Sequence, residues 1–207
     1  GVAPASVVIF GAGVAGSNAA KVAAGMGAQV TVLDPSVRQL QRLESQSCIN
    51  VKCLVSAAAV VDEAVRNADA VIGAALVPGA LAPKLVTRTM LGIMRPGAVL
   101  VDVSIDQGGC FETSRATTHA APTFVVDGIV HYCVANMPGA VPRTSTYALN
   151  SATLPFVLAL ADQGWKTAMQ CDRHLRNGLN ICRGRVTRRE VAEALELSWS
   201  DPDAAIA

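Results

Sequence analysis

The stretch Val7-Val8-Ile9-Phe10-Gly11-Ala12-Gly13-Val14-Ala15-Gly16 sets the reading of the whole chain. Four apolar residues suit a buried strand. Gly11, Gly13 and Gly16 follow in GxGxxG spacing and lead into residues 17–26, where Ala, Val and Lys recur at helical intervals. In such a strand–loop–helix unit the first glycine permits the tight turn, and the second lets backbone approach a pyrophosphate. The third lets helix and strand pack closely. The helix start then offers N–H groups and the positive end of its dipole to phosphates. Glycines mark many turns, so the string gains its weight from its place after a strand.

Working outward, residues 30–33 form a second strand, and Asp34 closes it 18 residues after Gly16. An acid there accepts from a ribose 2′-hydroxyl and repels a 2′-phosphate, so NAD is expected over NADP. The alternative is that Asp34 only caps a helix ahead of Pro35. Further strands are expected at residues 51–55, 70–72, 98–103 and 129–134, with helices at 60–67 and 83–94. The alternation predicts an α/β fold: a Rossmann-type doubly wound, mostly parallel sheet followed by C-terminal helices. From Ser145 the chain reads helical, without strands, broken near Gly164, Gly178 and Gly184, with a last helix at 187–197. Residues 1–142 are expected to be the dinucleotide-binding domain. Residues 143–207 are expected to be a helical segment that packs on another domain and by itself exposes Leu154, Phe156, Val157 and Leu160.

Composition narrows the classes. The 207 residues carry 17 Lys and Arg against 16 Asp and Glu, a net charge of +1. That lacks the basic excess of a nucleic-acid binder, so no nucleic acid is expected as partner. A chain that is 51% apolar and 16% charged is not disordered. Its uncharged runs are interrupted by Gly73, Pro78 and Gly79 or, at 154–161, last eight residues. A membrane span needs roughly 20. The apolar excess is therefore core, as a parallel sheet covered on both faces demands. Six cysteines (Cys48, Cys53, Cys110, Cys133, Cys171, Cys182) form no CxxC pair and no zinc spacing. They read as buried free thiols of a reducing, cytoplasmic compartment, and no metal is expected. No leader is read at Gly1, and the start without Met suggests a piece of something longer.

Asp106 lies just beyond the strand at 98–103, at the edge where open α/β sheets hold ligands, and Gly108 and Gly109 let backbone come close. An Asx turn is the competing reading. Asp102, between the strand residues Val101 and Val103, reads as structural. Asn136 follows the strand at 129–134, where its amide would reach a ribose or carboxamide or else initiate a turn. His119 and His131 read as satisfied structural histidines, and His174 as a solvated helix residue. Arg183, Arg185, Arg188 and Arg189 form a solvated face or inter-domain contact.

Four further strings carry a resemblance: IGAALVPGALAPKLVT (72–87), VDVSIDQGGCFETS (101–114), TTHAAPTF (117–124) and HYCVANMPGAVPRTSTYALNSATLP (131–155). With VVIFGAGVAG and VTVLD they closely resemble the alanine dehydrogenase family across essentially the whole chain. A related transhydrogenase subunit shares the Rossmann part, and the 101–114 and 131–155 strings look like alanine dehydrogenase. The resemblance implies reversible NAD-linked oxidative deamination of L-alanine to pyruvate and ammonium in a homohexamer. It implies Asp106 as the active-site aspartate, and cofactor contacts from Val14 and Ala15 at the phosphates, Asp34 at the adenosine ribose and Ser56 near the adenine. Ala75, Leu76, Val103, Ser104, Ile105 and Arg115 extend the implied set. Val134, Ala135, Asn136 and Met137 complete it. In that family a preceding domain supplies a catalytic histidine and the Arg and Lys that hold the substrate carboxylate; the three histidines here do not replace it. Two rival readings are an NAD-binding module without catalysis and a transhydrogenase-type NAD domain.

Overall fold

A computed structural model describes residues 1–46, 50–77 and 80–206. Cys48, Pro78 and Gly79, singled out above, lie outside the described residues. The chain divides into two compact units, one of Gly1–Val77 with Leu81–Met137 and a second spanning Pro138–Ala207.

In the first unit, β1 (Ser6–Phe10), β2 (Gln29–Asp34), β3 (Val51–Val55), β4 (Ala70–Gly73) and β5 (Val99–Asp102) run parallel, and β7 (Ile129–Tyr132) joins β5 in the same sense. β6 (Thr123–Val126) closes the edge antiparallel to β7. The order is β3-β2-β1-β4-β5-β7-β6. Connections wind one way from β1 through β2 to β3 and the other way from β4 onward, so the sheet reverses direction between β1 and β4. In open α/β sheets a crevice opens at that point beyond the carboxyl ends of the strands.

Every residue of β1 after Ser6 is buried, because the sheet is covered on both faces. Val7 and Ile9 pack with Val30, Val32, Leu40 and Leu43 and with Ala20 of helix α1 (Val14–Gly25). Leu40 and Leu43 belong to α2 (Val37–Glu44), whose cap is Ser36. Val8 and Phe10 pack on the other face with Leu33, Val71, Leu100 and Phe111, and with Val65 of α3 (Ala58–Arg66). Each fully buried side chain of this size contributes about 1.5–3 kcal/mol. Among the described residues no helix is long and apolar enough to cross a membrane.

Several sequence expectations are corrected. The helix expected at 83–94 shrinks to α4 (Arg88–Leu91). The backbone before it pairs with the loop after β5 instead: Ala82 N–H donates to Gln107 O, Leu85 N–H to Cys110 O, and Val86 bridges Phe111. A tertiary partner there outcompetes local helical spacing. The edge strand β6 was not anticipated. The tail contains the hairpin β8 (Ile181–Cys182)–β9 (Arg185–Val186), because Arg183 and Gly184, at φ 50° and 77°, form a two-residue turn of left-handed conformation.

The last expected helix contracts to α7 (Arg189–Ala194). The long helix α5 (Pro142–Cys171) opens on Pro142 and breaks at Gly164, where φ is 74°. It is followed by α6 (Arg173–Asn177), and α8 (Pro202–Ile206) closes the chain. Within this unit Trp199 Nε1 donates to Thr187 O and Arg176 pairs with Asp203 at 2.7 Å. Leu154, Phe156 and Val157 are exposed; Leu160 is half-buried, because it lies one turn farther along α5, nearer the packed end. The free thiols Cys110, Cys133 and Cys182 are buried, but Cys53 is only half-buried and Cys171 is exposed at the end of α5.

His131, on β7, is fully buried and stacks on Phe124 with ring centroids 4.8 Å apart. Its Nδ1 must donate to the Ile129 carbonyl at 3.0 Å, so Nε2 accepts from the Thr113 hydroxyl at 2.7 Å. Burial lowers its pKa from the ordinary 6.5, keeping the imidazole neutral. The unfolded chain therefore takes up a proton first as pH falls below about 6.5, and this part of the stability, complete above that pH, is lost on acidification. Urea midpoints at about pH 7.5 and about pH 5.5 should differ more in the native sequence than in His131→Gln. Equal pH dependence in the two would remove His131 from that role.

Candidate functional site

The crevice between β1 and β4 holds a cavity of about 580 Å³. Gly11 and Gly13 form one wall, Asp34, Gln39 and Ser56 a second, and Ala75, Leu76 and Val77 a third. Gly11 sits at φ 102°, and a Cβ there would press on the Ala74 carbonyl oxygen. A Cβ on Gly16 would overlap the Gly11 carbonyl oxygen, so only glycine lets α1 start this close to β1. Helix α1 has no side-chain cap at Gly13 and no acid in its first turn, and Val14 is exposed there. Val14, Ala15 and Gly16 thus present first-turn N–H groups suited to an anion. A neighbouring cavity of about 290 Å³ at the same helix start is lined by Lys21 and Arg42 as well as Gly13.

Asp34 does not cap α2, since Ser36 does. One carboxylate oxygen accepts from Ser36 N–H and the other from Ala12 N–H, both at 2.7 Å. The acid thereby ties the end of β2 to the glycine loop. Each oxygen keeps a lone pair for a further donor from the cavity.

The turn after β5 is organised by Asp102, which is fully buried. It accepts from Ser104 N–H (3.1 Å), Cys110 N–H (2.9 Å), Phe111 N–H (3.4 Å) and the Ser114 hydroxyl (2.5 Å). The Cys110 thiol lies 3.5 Å from it. Burial and this neighbouring carboxylate push the Cys110 thiol far up, and burial also raises Cys133, so both are inert as nucleophiles. Ser104 Oγ donates to the Ala75 carbonyl at 2.7 Å, joining the β5 turn to the cavity wall after β4.

That frame carries Asp106 to the surface in a 3-10 turn, Ile105–Gln107, with Ile105 buried and Val103 exposed. Asn136, in left-handed conformation at φ 52°, donates its N–H to both Asp106 oxygens at 3.3 Å. His119 Nε2 lies 3.2 Å from the Asn136 carbonyl. Sequence reading separated these three. Thr117 brings them together by pairing with Val134 and accepting from Ala135 N–H, and Met137 follows half-buried. The Arg115 guanidinium lies 4.2 Å over the Phe124 ring, and like residues 103–106 and 134–137 it is not among the residues that line the cavity. Gln39, Pro83 and Leu85 do line it. No short motif marked these three, because they meet the cavity only through folding.

Residues 1–189 match the family described as Alanine dehydrogenase/PNT, C-terminal domain. The chain belongs to this family. It is 61% identical to the alanine dehydrogenase of Halomonas elongata over 199 residues, which is 96% of this chain and 54% of that protein. A solved L-alanine dehydrogenase superposes with a TM-score of 0.83 at 49% identity, covering 94% of this chain and 54% of that one. A transhydrogenase structure from Sinorhizobium meliloti matches less well, with a TM-score of 0.60 at 36% identity over 68% of this chain and 40% of its own. The chain spans about half the length of the curated relatives it matches. Within this alanine dehydrogenase/PNT domain, Asp102 is the organising charge. Asp102→Asn removes that charge and turns an N–H₂ toward backbone N–H groups, which only donate. It should destabilise the chain by about 3 kcal/mol in urea unfolding; a loss under about 1 kcal/mol would show that the turn holds itself.

Proposed function

We propose that this chain is the NAD-binding half of an NAD-dependent alanine dehydrogenase, which interconverts L-alanine with pyruvate and ammonium as a cytoplasmic homohexamer. The observation that carries the reading is the crevice at the β1/β4 switch, with a glycine loop and an acid at the end of β2, joined through Ser104 to the turn that presents Asp106. The family membership supplies the reaction. The residues fit the cofactor: the uncapped α1 start suits a pyrophosphate, and Asp34 retains lone pairs for the adenosine ribose. Ser56 and the apolar Ala75 and Leu76 suit the adenine side. When bound, NAD would supply the hydride acceptor.

What the chain's own residues do follows from their placement. The backbone of Val14 and Ala15 orients the phosphates. Ser104, between Val103 and Ile105, ties the β5 turn to the Ala75 carbonyl, and Val134, Ala135, Asn136 and Met137 bring the β7 end beside Asp106. Asp106, at the surface with one backbone donor, accepts and returns the proton that accompanies addition of water at the amino-bearing carbon. The Asn136 N–H holds the Asp106 side chain in place. Arg115, stacked on Phe124, serves the cofactor only if it leaves that ring. The groups that hold the substrate carboxylate and a second proton carrier are expected from the part of the relatives that this chain does not span. The chain by itself should therefore bind NAD without turning over alanine.

Asp34→Ser should weaken NAD binding by about 1.5–3 kcal/mol in calorimetry, because a charge-assisted bond and the tie to Ala12 are both lost. Discrimination against NADP should relax with it; equal binding of NADP and NAD by the native chain would refute the role given to Asp34.

The decisive experiment compares the 207-residue chain with a full-length protein carrying it, following reduced cofactor with NAD and alanine at alkaline pH. The chain should be silent and the full-length protein active, and Asp106→Asn should cut kcat by roughly 10²-fold while NAD still binds. Hydride exchange between two nucleotides without alanine would favour the transhydrogenase-type reading instead.

A further inference from the structure

Lys84 lies in the extended segment before α4, outside the cavity lining, and nothing above gives it a role. Its Nζ is 2.7 Å from the Gly108 carbonyl oxygen, 2.7 Å from that of Gly109 and 3.3 Å from that of Phe111. An ammonium has three N–H groups and no acceptor, so the three carbonyls match it one for one. Gly108 and Gly109, at φ 85° and 74°, are consecutive left-handed residues. They turn adjacent carbonyls toward a single point, where the negative ends of the dipoles repel one another unless a cation sits between them.

The same turn is gripped from its buried side by Asp102, which takes the N–H groups of Cys110 and Phe111. Two opposite charges thus hold one loop, the carboxylate through its donors and the ammonium through its acceptors. Gly108 directly follows the 3-10 turn Ile105–Gln107 that presents Asp106.

We propose that Lys84 is a positioning residue for Asp106. Its ammonium fixes the Gly108–Gly109 turn and so the direction in which the Asp106 carboxylate faces the Asn136 N–H. The catalytic side of the proposal rests on the reading of Asp106 as the proton-handling group; the clamp itself does not. The charge alone is not sufficient, because convergence of three N–H groups on one point is what the carbonyl geometry selects. A guanidinium, with its donors spread over a planar fork, meets it poorly.

Lys84→Ala tests this in two settings. In the 207-residue chain, amide hydrogen exchange of Gly108, Gly109 and Asn136 should speed up, while the amides of β1 and β2 keep their protection. Propylammonium should restore protection at these three amides. Tetramethylammonium, charged but without N–H, should not. In the full-length protein kcat for alanine should fall by about 10²-fold, the scale of an ångström-sized misplacement, with NAD affinity retained and propylammonium recovering part of the rate. Where Lys84→Ala does not fold, Lys84→Arg carries the same readings, with an unchanged unfolding midpoint and a partial loss of protection. Unchanged exchange at Gly108, Gly109 and Asn136 overturns the clamp. Faster exchange with an undiminished kcat overturns its bearing on Asp106. A full-length protein that never oxidises alanine refutes the functional reading, and the exchange data still decide the clamp.

Discussion

The turn that carries Asp106 hangs on one fully buried carboxylate. Asp102 closes β5 and collects two backbone N–H groups from residues 110 and 111, one from Ser104 and a hydroxyl from Ser114. A charge placed out of water is tolerated only when such donors surround it. The requirement runs in both directions. The carboxylate gathers those donors to one point and so prescribes the path of the chain from Ser104 to Ser114. Ser104 passes the constraint to Ala75 and thus to the wall of the cavity. The turn after β5 and the segment after β4 are joined for this reason.

A second carboxylate plays a parallel part at the other side of the crevice. Asp34 was read from the sequence as a ribose acceptor, and in the fold it also bonds Ala12 N–H. The glycine loop is thereby held by a side chain of the protein itself. Preorganisation of this kind lowers the ordering cost at binding. It also means that changing Asp34 alters two things at once, an acceptor that lines the cavity and the loop behind it.

The buried thiols fit the same electrostatic picture. Cys110 lies against Asp102 and Cys133 against Ser114, so ionisation of either would bring a second negative charge beside a buried first one. They act as small apolar residues that fill space near a carboxylate. Gly73 stands opposite Asp102 across β4 and β5 for a related reason: a Cβ there would overlap the Cys110 sulfur.

How much was legible in the sequence divides along the range of the interactions. The apolar run of β1, the glycine spacing, the second strand and the acid at its end are local signals. Neighbouring residues dictate them through period and backbone sterics, and sequence alone determined the α/β class from them. The 101–114 and 131–155 strings likewise pointed to the family. Only the tertiary structure decided that Asp106 and Asn136, 30 residues apart, share a hydrogen bond. It also decided that the segment before α4 pairs with the β5 turn instead of coiling, that β6 folds back on β7, and that Arg183 and Gly184 make a hairpin in a tail that reads as helix. In each case the backbone groups were satisfied by partners distant in the chain, and no local period records which distant partner will come within reach.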